Sequence, residues 1–227
     1  PEHTQELWHE AGIEPRAIDR EVSCALHMTH MGNTSKPEAL IRQALRNGLS
    51  DGWGGSMCGT EFSDVLFGTP KPIDTEANLG VMVAENVNIV VHGHDPSLSE
   101  MICEYADSKE MIDYAKSMGA KGITVSGVCC TSNEVAMRRG IPMAGNFLQQ
   151  ENVVLTGACE AIVVDVQCIF PALGPLSKCF HTKFITTSPI CQMPDSDFIE
   201  FDSSNAGETA KNIVKLACEN FKNRKPE

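Results

Sequence analysis

The sequence predicts an α/β fold, in which a Rossmann-like, mostly parallel sheet has helices on both faces and follows a mainly helical segment. Up to about residue 80 the chain is polar and rich in helix-compatible runs. From about Asn86, short apolar and β-rich runs alternate with helical stretches. Strands that alternate with helices pair in parallel, because each helix carries the chain back across a face of the sheet. We therefore predict a helical part at 1–85 and an α/β domain at 86–227.

Each predicted element follows from a local pattern. The helical part contains helix-compatible runs at Pro15–Met31 and Lys36–Leu49, followed by a glycine-rich turn, Asp51-Gly-Trp-Gly-Gly-Ser56. Short clusters of apolar and β-branched residues predict the strands: Val87–Val91, Gly122–Val125, Ala161–Val166, Lys183–Thr187 and Phe198–Phe201. The stretches between them predict the helices: Ser97–Met118, Ser132–Arg139, Gly145–Leu155, Pro171–Cys179 and Asn205–Asn223.

Composition and charge argue against several functional classes. The formal net charge of -12 is the opposite of the basic footprint that nucleic-acid binding requires. No apolar run approaches the roughly 18 residues of a membrane span, and no signal peptide opens the chain, so we expect a cytoplasmic protein. The ten cysteines are too sparse for a small disulfide scaffold. In a reducing compartment, such cysteines serve packing, metal binding or catalysis.

Candidate metal ligands follow three successive predicted strands. The first strand is followed by His92-Gly-His94, the second by Cys129-Cys130 and the third by Gln167-Cys168. Ligands of parallel α/β sheets bind beyond the carboxyl ends of the strands. Thiolates and imidazole are the ligand set of iron–sulfur clusters and of metals such as nickel and zinc. The sequence therefore predicts a metal site assembled from separate loops at one edge of the sheet.

Each of these residues also has a structural interpretation. His94 could cap the helix that follows it, and cysteine is among the most commonly buried residues. Adjacent residues leave a strand on opposite sides, so local chemistry leaves open whether Cys129 or Cys130 faces the site. A helix that begins at this point would stabilise a thiolate there. The sequence leaves open the roles of three further cysteines: Cys58, Cys179 and Cys191.

Several longer motifs together resemble a known family. They are Asp51-Gly-Trp-Gly-Gly-Ser-Met57, Asp64-Val-Leu-Phe-Gly-Thr-Pro70, Val91-His-Gly-His-Asp-Pro96, Gly127-Val-Cys-Cys-Thr-Ser-Asn-Glu134, Gly145-Asn-Phe-Leu-Gln-Gln-Glu151 and Asp165-Val-Gln-Cys168. In this order, and over essentially the whole chain, they resemble nickel–iron carbon monoxide dehydrogenase. The form is that of the dehydrogenase subunit of the bifunctional carbon monoxide dehydrogenase/acetyl-CoA synthase. Because the chain begins at Pro1 and is short for such a subunit, we expect a central piece of a longer protein.

The resemblance implies part of the prismane/carbon monoxide dehydrogenase-like fold, together with a reaction and a cofactor. The family interconverts CO and water with CO2, protons and electrons at a nickel–iron–sulfur cluster, the C-cluster. By motif position, His94, Cys130 and Cys168 would be cluster ligands, and His94 and Asp51 would belong to the catalytic site. The other cluster ligands, a catalytic lysine and further 4Fe-4S clusters lie outside this segment. The isolated chain is therefore expected to be inactive.

The resemblance also implies partners and leaves two alternatives. The implied partners are the rest of the same subunit, a second copy in a homodimer and a ferredoxin-type electron acceptor, with acetyl-CoA synthase as a further candidate. One alternative is a relative of hybrid cluster protein (hydroxylamine reductase), which shares the overall fold but binds a different cluster. The paired His-Gly-His and Cys-Cys elements argue against it. The other alternative is a non-catalytic scaffold whose thiols serve packing or partner contacts.

Overall fold

The computed structural model describes residues 2–225 and divides the chain into two compact units, Pro1–Leu66 and Phe67–Glu227. The first unit is helical. Its helices are α1 (Glu2–Ala11), α2 (Ile18–Met28), α3 (Pro37–Asp51) and α4 (Cys58–Phe67). Helix α2 lies within the first helix-compatible run, and α3 covers most of the second run and ends two residues beyond it.

The predicted glycine-rich turn after α3 is wrong. Gly52–Met57 forms a π-helix that continues α3 directly into α4. The N–H of Cys58 donates to the carbonyl of Trp53, five residues back, which is the π-helical pattern. Glycines predict a turn because they favour turn conformations, but here the stretch stays within one continuous helical path. Short π-helical segments inside α-helices occur frequently at functional sites.

The boundary between the units differs from the predicted one at 85/86. The segment that precedes the first strand already belongs to the α/β unit, because its backbone is hydrogen-bonded to a strand of the sheet. The N–H of Asn78 donates to the carbonyl of Met143 at 3.0 Å, and the N–H of Met143 donates to the carbonyl of Glu76 at 2.9 Å. This attachment is long-range, so the irregular sequence of the segment gives no local sign of it.

The α/β unit contains a six-stranded sheet with the order β3-β2-β1-β4-β5-β6. All its neighbouring strands are parallel, which confirms the predicted sheet. The strands are β1 (Val87–His92), β2 (Ile123–Val128), β3 (Met143–Gly145), β4 (Ala161–Val164), β5 (Lys183–Thr186) and β6 (Asp197–Phe198). The helices are α5 (Pro96–Ala106), α6 (Lys109–Ser117), α7 (Cys129–Arg139), α8 (Gln150–Leu155), α9 (Leu173–Ser177) and α10 (Ala206–Asn220). In the described part of the chain, none of the helices is long and apolar enough to cross a membrane.

Two apolar clusters cover the two faces of the sheet. Val91 of β1 packs in the cluster that includes residues of α5, α6 and α10, whereas Val90 packs in the cluster of α8 and α9. This alternation follows from the pleat of a strand, in which successive side chains point to opposite faces. Because β1 is buried on both faces, most of its positions are apolar, and its two polar residues, Asn88 and His92, are buried and hydrogen-bonded.

Several predicted elements have different bounds in the structure. The predicted helix Ser97–Met118 is two helices, because Ser108 starts a new one by accepting a hydrogen bond from the N–H of Met111 at 3.3 Å. The short strand β3 replaces the start of the predicted helix Gly145–Leu155, and β6 ends earlier than predicted. Helix α7 begins at Cys129, three residues before its predicted start. This last difference matters for the metal site.

An ion pair between a partly exposed arginine and a buried glutamate stabilises the helical unit. Arg16 donates two hydrogen bonds to the carboxylate of Glu21 on α2, at 2.5 and 2.7 Å. Gln43 on α3 donates to the same carboxylate at 2.7 Å and to the Glu21 carbonyl at 3.0 Å. The hydrogen bonds from Arg16, assisted by the one from Gln43, lower the pKa of Glu21 from 4.5 to about 2 although burial opposes this shift.

We expect Glu21→Gln to destabilise the helical unit at neutral pH by about 1–3 kcal/mol, since it leaves Arg16 without its charged partner. A lowered pKa stabilises the fold above the unfolded value, and this stabilisation is lost as the pH falls. The difference in free energy of unfolding between wild type and variant should therefore narrow from about pH 4.5 towards about pH 2. Urea unfolding, monitored by circular dichroism at several pH values, measures this difference. Glu6→Gln, an exposed change on α1, is the control, and a gap that is independent of pH would contradict the assignment.

Candidate metal site

Strands β1, β2 and β4 end at the same height in the sheet. His92, the last residue of β1, lies opposite Val128 of β2 and Val164 of β4. The chain segments that leave these three strands therefore start side by side at the carboxyl edge. These segments carry the predicted ligands, so the sheet register itself brings them into one region.

The His94 imidazole is held in one tautomer. Its Nδ1 lies 3.0 Å from the carbonyl oxygen of Val166. A carbonyl can only accept a hydrogen bond, so Nδ1 carries the proton and donates it. In the neutral ring, the lone pair is then on Nε2, which is the form that binds a metal. The loop after β4 thus orients the histidine that follows β1.

The Asp165 carboxylate fixes the backbone around His94. Its Oδ1 accepts from the N–H groups of His94, at 2.6 Å, and Val166, and its Oδ2 accepts from the N–H of Asp95 at 2.8 Å. Burial raises the pKa of Asp165 to about 6, and the three backbone hydrogen bonds act in the opposite direction. The three N–H donors thus favour the ionised carboxylate, against the effect of burial.

Gly93 permits this arrangement. Its φ of 135° lies in a region that residues with a side chain rarely adopt. A Cβ at this position would lie 1.9 Å from Oδ1 of Asp165, so any side chain would collide with the carboxylate. The chain therefore needs glycine between His92, which ends β1, and His94.

The two adjacent cysteines start α7. Cys129 has a φ of 72°, which is unusual for a residue with a side chain, and only 9% of its surface is exposed. Burial raises the pKa of the Cys129 thiol to about 12. Cys130 is exposed, and its sulfur lies 3.9 Å from the sulfur of Cys129. Both thiols are therefore present at the same corner of the site.

The α7 N-terminus is joined to both neighbouring strands. The N–H of Thr131 donates to the carbonyl of Gly93 at 3.0 Å, which joins α7 to the loop after β1. A Cβ on Gly127 of β2 would lie 1.9 Å from the Cβ of Ser132, so α7 packs as close to β2 as glycine permits. The positive end of this helix dipole, like that of α5, faces the carboxyl edge of the sheet, where it favours bound anionic sulfur.

Cys168 lies on a strained loop after β4. Gln167 and Cys168 have φ values of 65° and 58°, so two consecutive residues with side chains adopt the left-handed conformation. Each such residue costs about 1–3 kcal/mol, and such strain persists only where the surroundings hold it in place. The thiol of Cys168 is exposed.

The structure brings one histidine and two cysteines together. Ligand atoms of His94, Cys129 and Cys168 all lie within 4.8 Å of one another. The predicted convergence of three strand ends is therefore confirmed. Of the two adjacent cysteines, Cys129 is the one in this group, whereas the resemblance implies Cys130. Asp51, the remaining predicted site residue, is exposed at the end of α3 in the helical unit.

Two residues that support the site were not predicted as site residues. Asp165 appears in a quoted motif, but nothing in its local pattern indicates a buried carboxylate that accepts three backbone N–H groups. Gln150 starts α8, and its side chain is fully buried beside the loop of Cys168. Asp165 interrupts an apolar run, which is a sequence signal of a buried polar group, whereas Gln150 lies among other polar residues and gives no such signal.

Comparison with known proteins identifies the family. The Prismane/CO dehydrogenase family matches residues 1–227. The chain belongs to this family. Carbon monoxide dehydrogenase 1 of Methanosarcina acetivorans is 55% identical over 224 residues, which is 99% of this chain and 36% of that protein. The carbon monoxide dehydrogenase/acetyl-CoA synthase subunit beta of Moorella thermoacetica is 42% identical over 99% of this chain and 33% of its own length.

A solved structure of a family member confirms the fold. The nickel-free crystal structure of carbon monoxide dehydrogenase from Thermococcus sp. AM4 superposes with a TM-score of 0.94 at 53% sequence identity. The match covers 99% of this chain and 35% of the solved one. The chain therefore has part of the prismane/carbon monoxide dehydrogenase-like fold, as predicted. It spans about a third of the length of these relatives.

We expect Gly93→Ala to destabilise the α/β unit by more than the roughly 1–2 kcal/mol that a left-handed alanine costs. The added methyl group would collide with Asp165 and displace the carboxylate from the N–H of His94. Gly119→Ala is the matched control, because Gly119 has a φ of 103° but open space around it. Urea unfolding measures both variants. Equal losses for the two variants would show that Asp165 does not constrain this loop.

Proposed function

We propose that this chain is the part of a carbon monoxide dehydrogenase subunit that supplies one histidine and its cysteine partners to a nickel–iron–sulfur C-cluster. The convergence of His94, Cys129 and Cys168 at the carboxyl edge of the sheet carries this proposal. Family membership supports it, because the relatives that cover this chain are carbon monoxide dehydrogenases. The whole protein would interconvert CO and water with CO2, protons and electrons.

The donor set fits such a cluster. Thiolates and a neutral imidazole are the ligands of iron–sulfur and nickel sites. By family motif, our proposed ligands are His94, Cys130 and Cys168. Cys129 is the alternative thiol, because its sulfur lies within 4.8 Å of ligand atoms of the other two. Burial keeps the Cys129 thiol protonated when no metal is bound, so a metal that binds there must displace the proton.

The chain's own residues have defined tasks in this proposal. Val166 holds His94 with its Nε2 lone pair available, and Asp165 fixes the backbone at His94. The proposed role of Asp51 is to hydrogen-bond to the reacting groups, which follows from its motif. The cluster, when bound, supplies the redox chemistry that takes two electrons from CO. The loops after β1, β2 and β4 restrict the movement of the ligand atoms, because hydrogen bonds connect the loop after β1 to the other two.

The rest of the protein completes the proposal. Missing cluster ligands and the further 4Fe-4S clusters would come from the two thirds of the subunit outside this chain. The family resemblance supports a cytoplasmic homodimer that passes electrons to a ferredoxin-type acceptor. Similarity to the Moorella protein, whose name joins both activities, supports association with an acetyl-CoA synthase.

Anaerobic reconstitution with iron, sulfide and nickel tests the ligand assignment. We expect His94→Ala and Cys168→Ala to reduce metal uptake, because each change removes a ligand. Parallel Cys129→Ala and Cys130→Ala variants decide which thiol binds, and Cys218→Ala, a change of a buried cysteine in α10, is the control. Bound metal is counted by elemental analysis and by sulfur-to-iron absorption. Metal uptake that none of the site variants changes would instead support a scaffold.

The isolated chain is expected to show no CO-dependent reduction of viologen dyes, since it would supply only part of the ligand set. The same assay on a full-length subunit that carries this sequence should show activity. His94→Ala in the full-length subunit should abolish the activity. Clear dye reduction by the isolated 227-residue chain would overturn this expectation.

A further inference from the structure

We propose that Gln150 is a positioning residue for Cys168, which it holds at the site through the backbone of the Cys168 loop. Gln150 is the first residue of α8 and its side chain is fully buried. The inference rests on the proposed function, because it assumes that Cys168 binds a metal.

Three main-chain groups fix the orientation of the Gln150 amide. Its Nε2 donates to the carbonyl oxygens of Phe147, at 2.5 Å, and Cys168, at 3.0 Å. Its Oε1 accepts from the N–H of Phe170 at 2.8 Å. Carbonyls only accept and a backbone N–H only donates, so the reversed amide would lose all three bonds. The side chain therefore joins the start of α8 to the Cys168 carbonyl and the Phe170 N–H, which lie on either side of residue 169.

His92 completes the arrangement from the sheet. Its Nε2 lies 3.0 Å from Oε1 of Gln150. Because Oε1 can only accept, His92 donates from Nε2. The last residue of β1 thus holds Gln150, and Gln150 in turn holds the loop after β4.

The backbone at Cys168 needs such support. Gln167 and Cys168 are both left-handed, and a loop without restraint would relax to a more favourable conformation. Such a change would rotate the Cys168 thiol away from His94 and Cys129. The hydrogen bond from Gln150 to the Cys168 carbonyl opposes this rotation. The hydrogen bond from the N–H of Phe170 to Oε1 of Gln150 fixes the chain two residues later.

Co²⁺ binding to the 227-residue chain provides the test, since thiolate-to-cobalt charge-transfer absorption reports each cobalt–sulfur bond. Gln150→Glu keeps an acceptor for Phe170 and places a second oxygen against the carbonyls of Phe147 and Cys168. We expect Co²⁺ affinity to fall about 10–100-fold, as for residues that orient metal ligands, and the charge-transfer intensity to fall as Cys168 is lost from the metal.

Gln149→Glu is the matched control on the neighbouring residue. The exposed Gln149 side chain only accepts a hydrogen bond, from the N–H of Asn146 at 3.0 Å, and a carboxylate can do the same. Its Co²⁺ affinity should equal that of wild type. Gln150→Met, which removes the hydrogen bonds without adding charge, should weaken binding in the same direction as Gln150→Glu.

A double-mutant cycle decides whether Gln150 acts through Cys168. Cys168→Ala should weaken Co²⁺ binding, and adding Gln150→Glu to it should weaken binding no further. An equal additional loss in the Cys168→Ala background would overturn the inference, as would wild-type affinity in both Gln150 variants. Loss of the folded circular dichroism signal in both would assign Gln150 to general stability and also overturn it. If Cys168→Ala itself leaves Co²⁺ binding unchanged, the proposed function fails instead.

Discussion

The parallel pairing of β1 with β2 on one side and β4 on the other is the constraint on which the site depends. His92 is level with the ends of both neighbours, so the loops that follow all begin at one edge. Both faces of β1 are buried, so a shift by one residue would exchange the side chains that pack in the two apolar clusters. It would also separate the buried Asn88 amide from the Ala158 carbonyl, to which it donates at 2.9 Å. The register therefore sets which histidine and cysteines can meet.

The loops at this edge hold one another in place. Asp165 after β4 binds the backbone around His94, and the carbonyl of Gly93 accepts from Thr131 at the start of α7. Gln150 joins the end of β1 to the loop of Cys168. A change in one loop is thereby transmitted to the other two. These connections explain how Cys129 and Cys168 can both keep a strained, left-handed backbone conformation.

Behind the site, ion pairs connect α5 and α7. Glu100 on α5 is buried, and it accepts from Arg139 at 2.5 Å and from Arg138 at 3.5 Å on α7. Helix α5 starts next to the candidate ligand His94, and α7 starts at Cys129. The ion pairs lie away from the carboxyl edge, towards the far end of α7. They oppose relative movement of the two helices and so add to the rigidity of the site.

The sequence by itself determined the fold class, the parallel sheet and the three strand ends that carry the candidate ligands. Alternation of apolar runs with helical stretches and the order of residues after each strand are local properties, and local patterns can be read from a chain. Family membership also follows from the sequence, because its motifs extend along the whole chain.

Only the tertiary structure decided which groups meet in space. That Cys129 rather than Cys130 is grouped with His94 and Cys168 depends on the left-handed start of α7, which no propensity predicts. The π-helix after Asp51 and the attachment of the segment before β1 likewise depend on the folded chain. The partners that connect Asp165 and Gln150 to the other loops, such as His94 and Cys168, are distant in sequence. Such contacts depend on packing between elements, so a local sequence pattern cannot predict them.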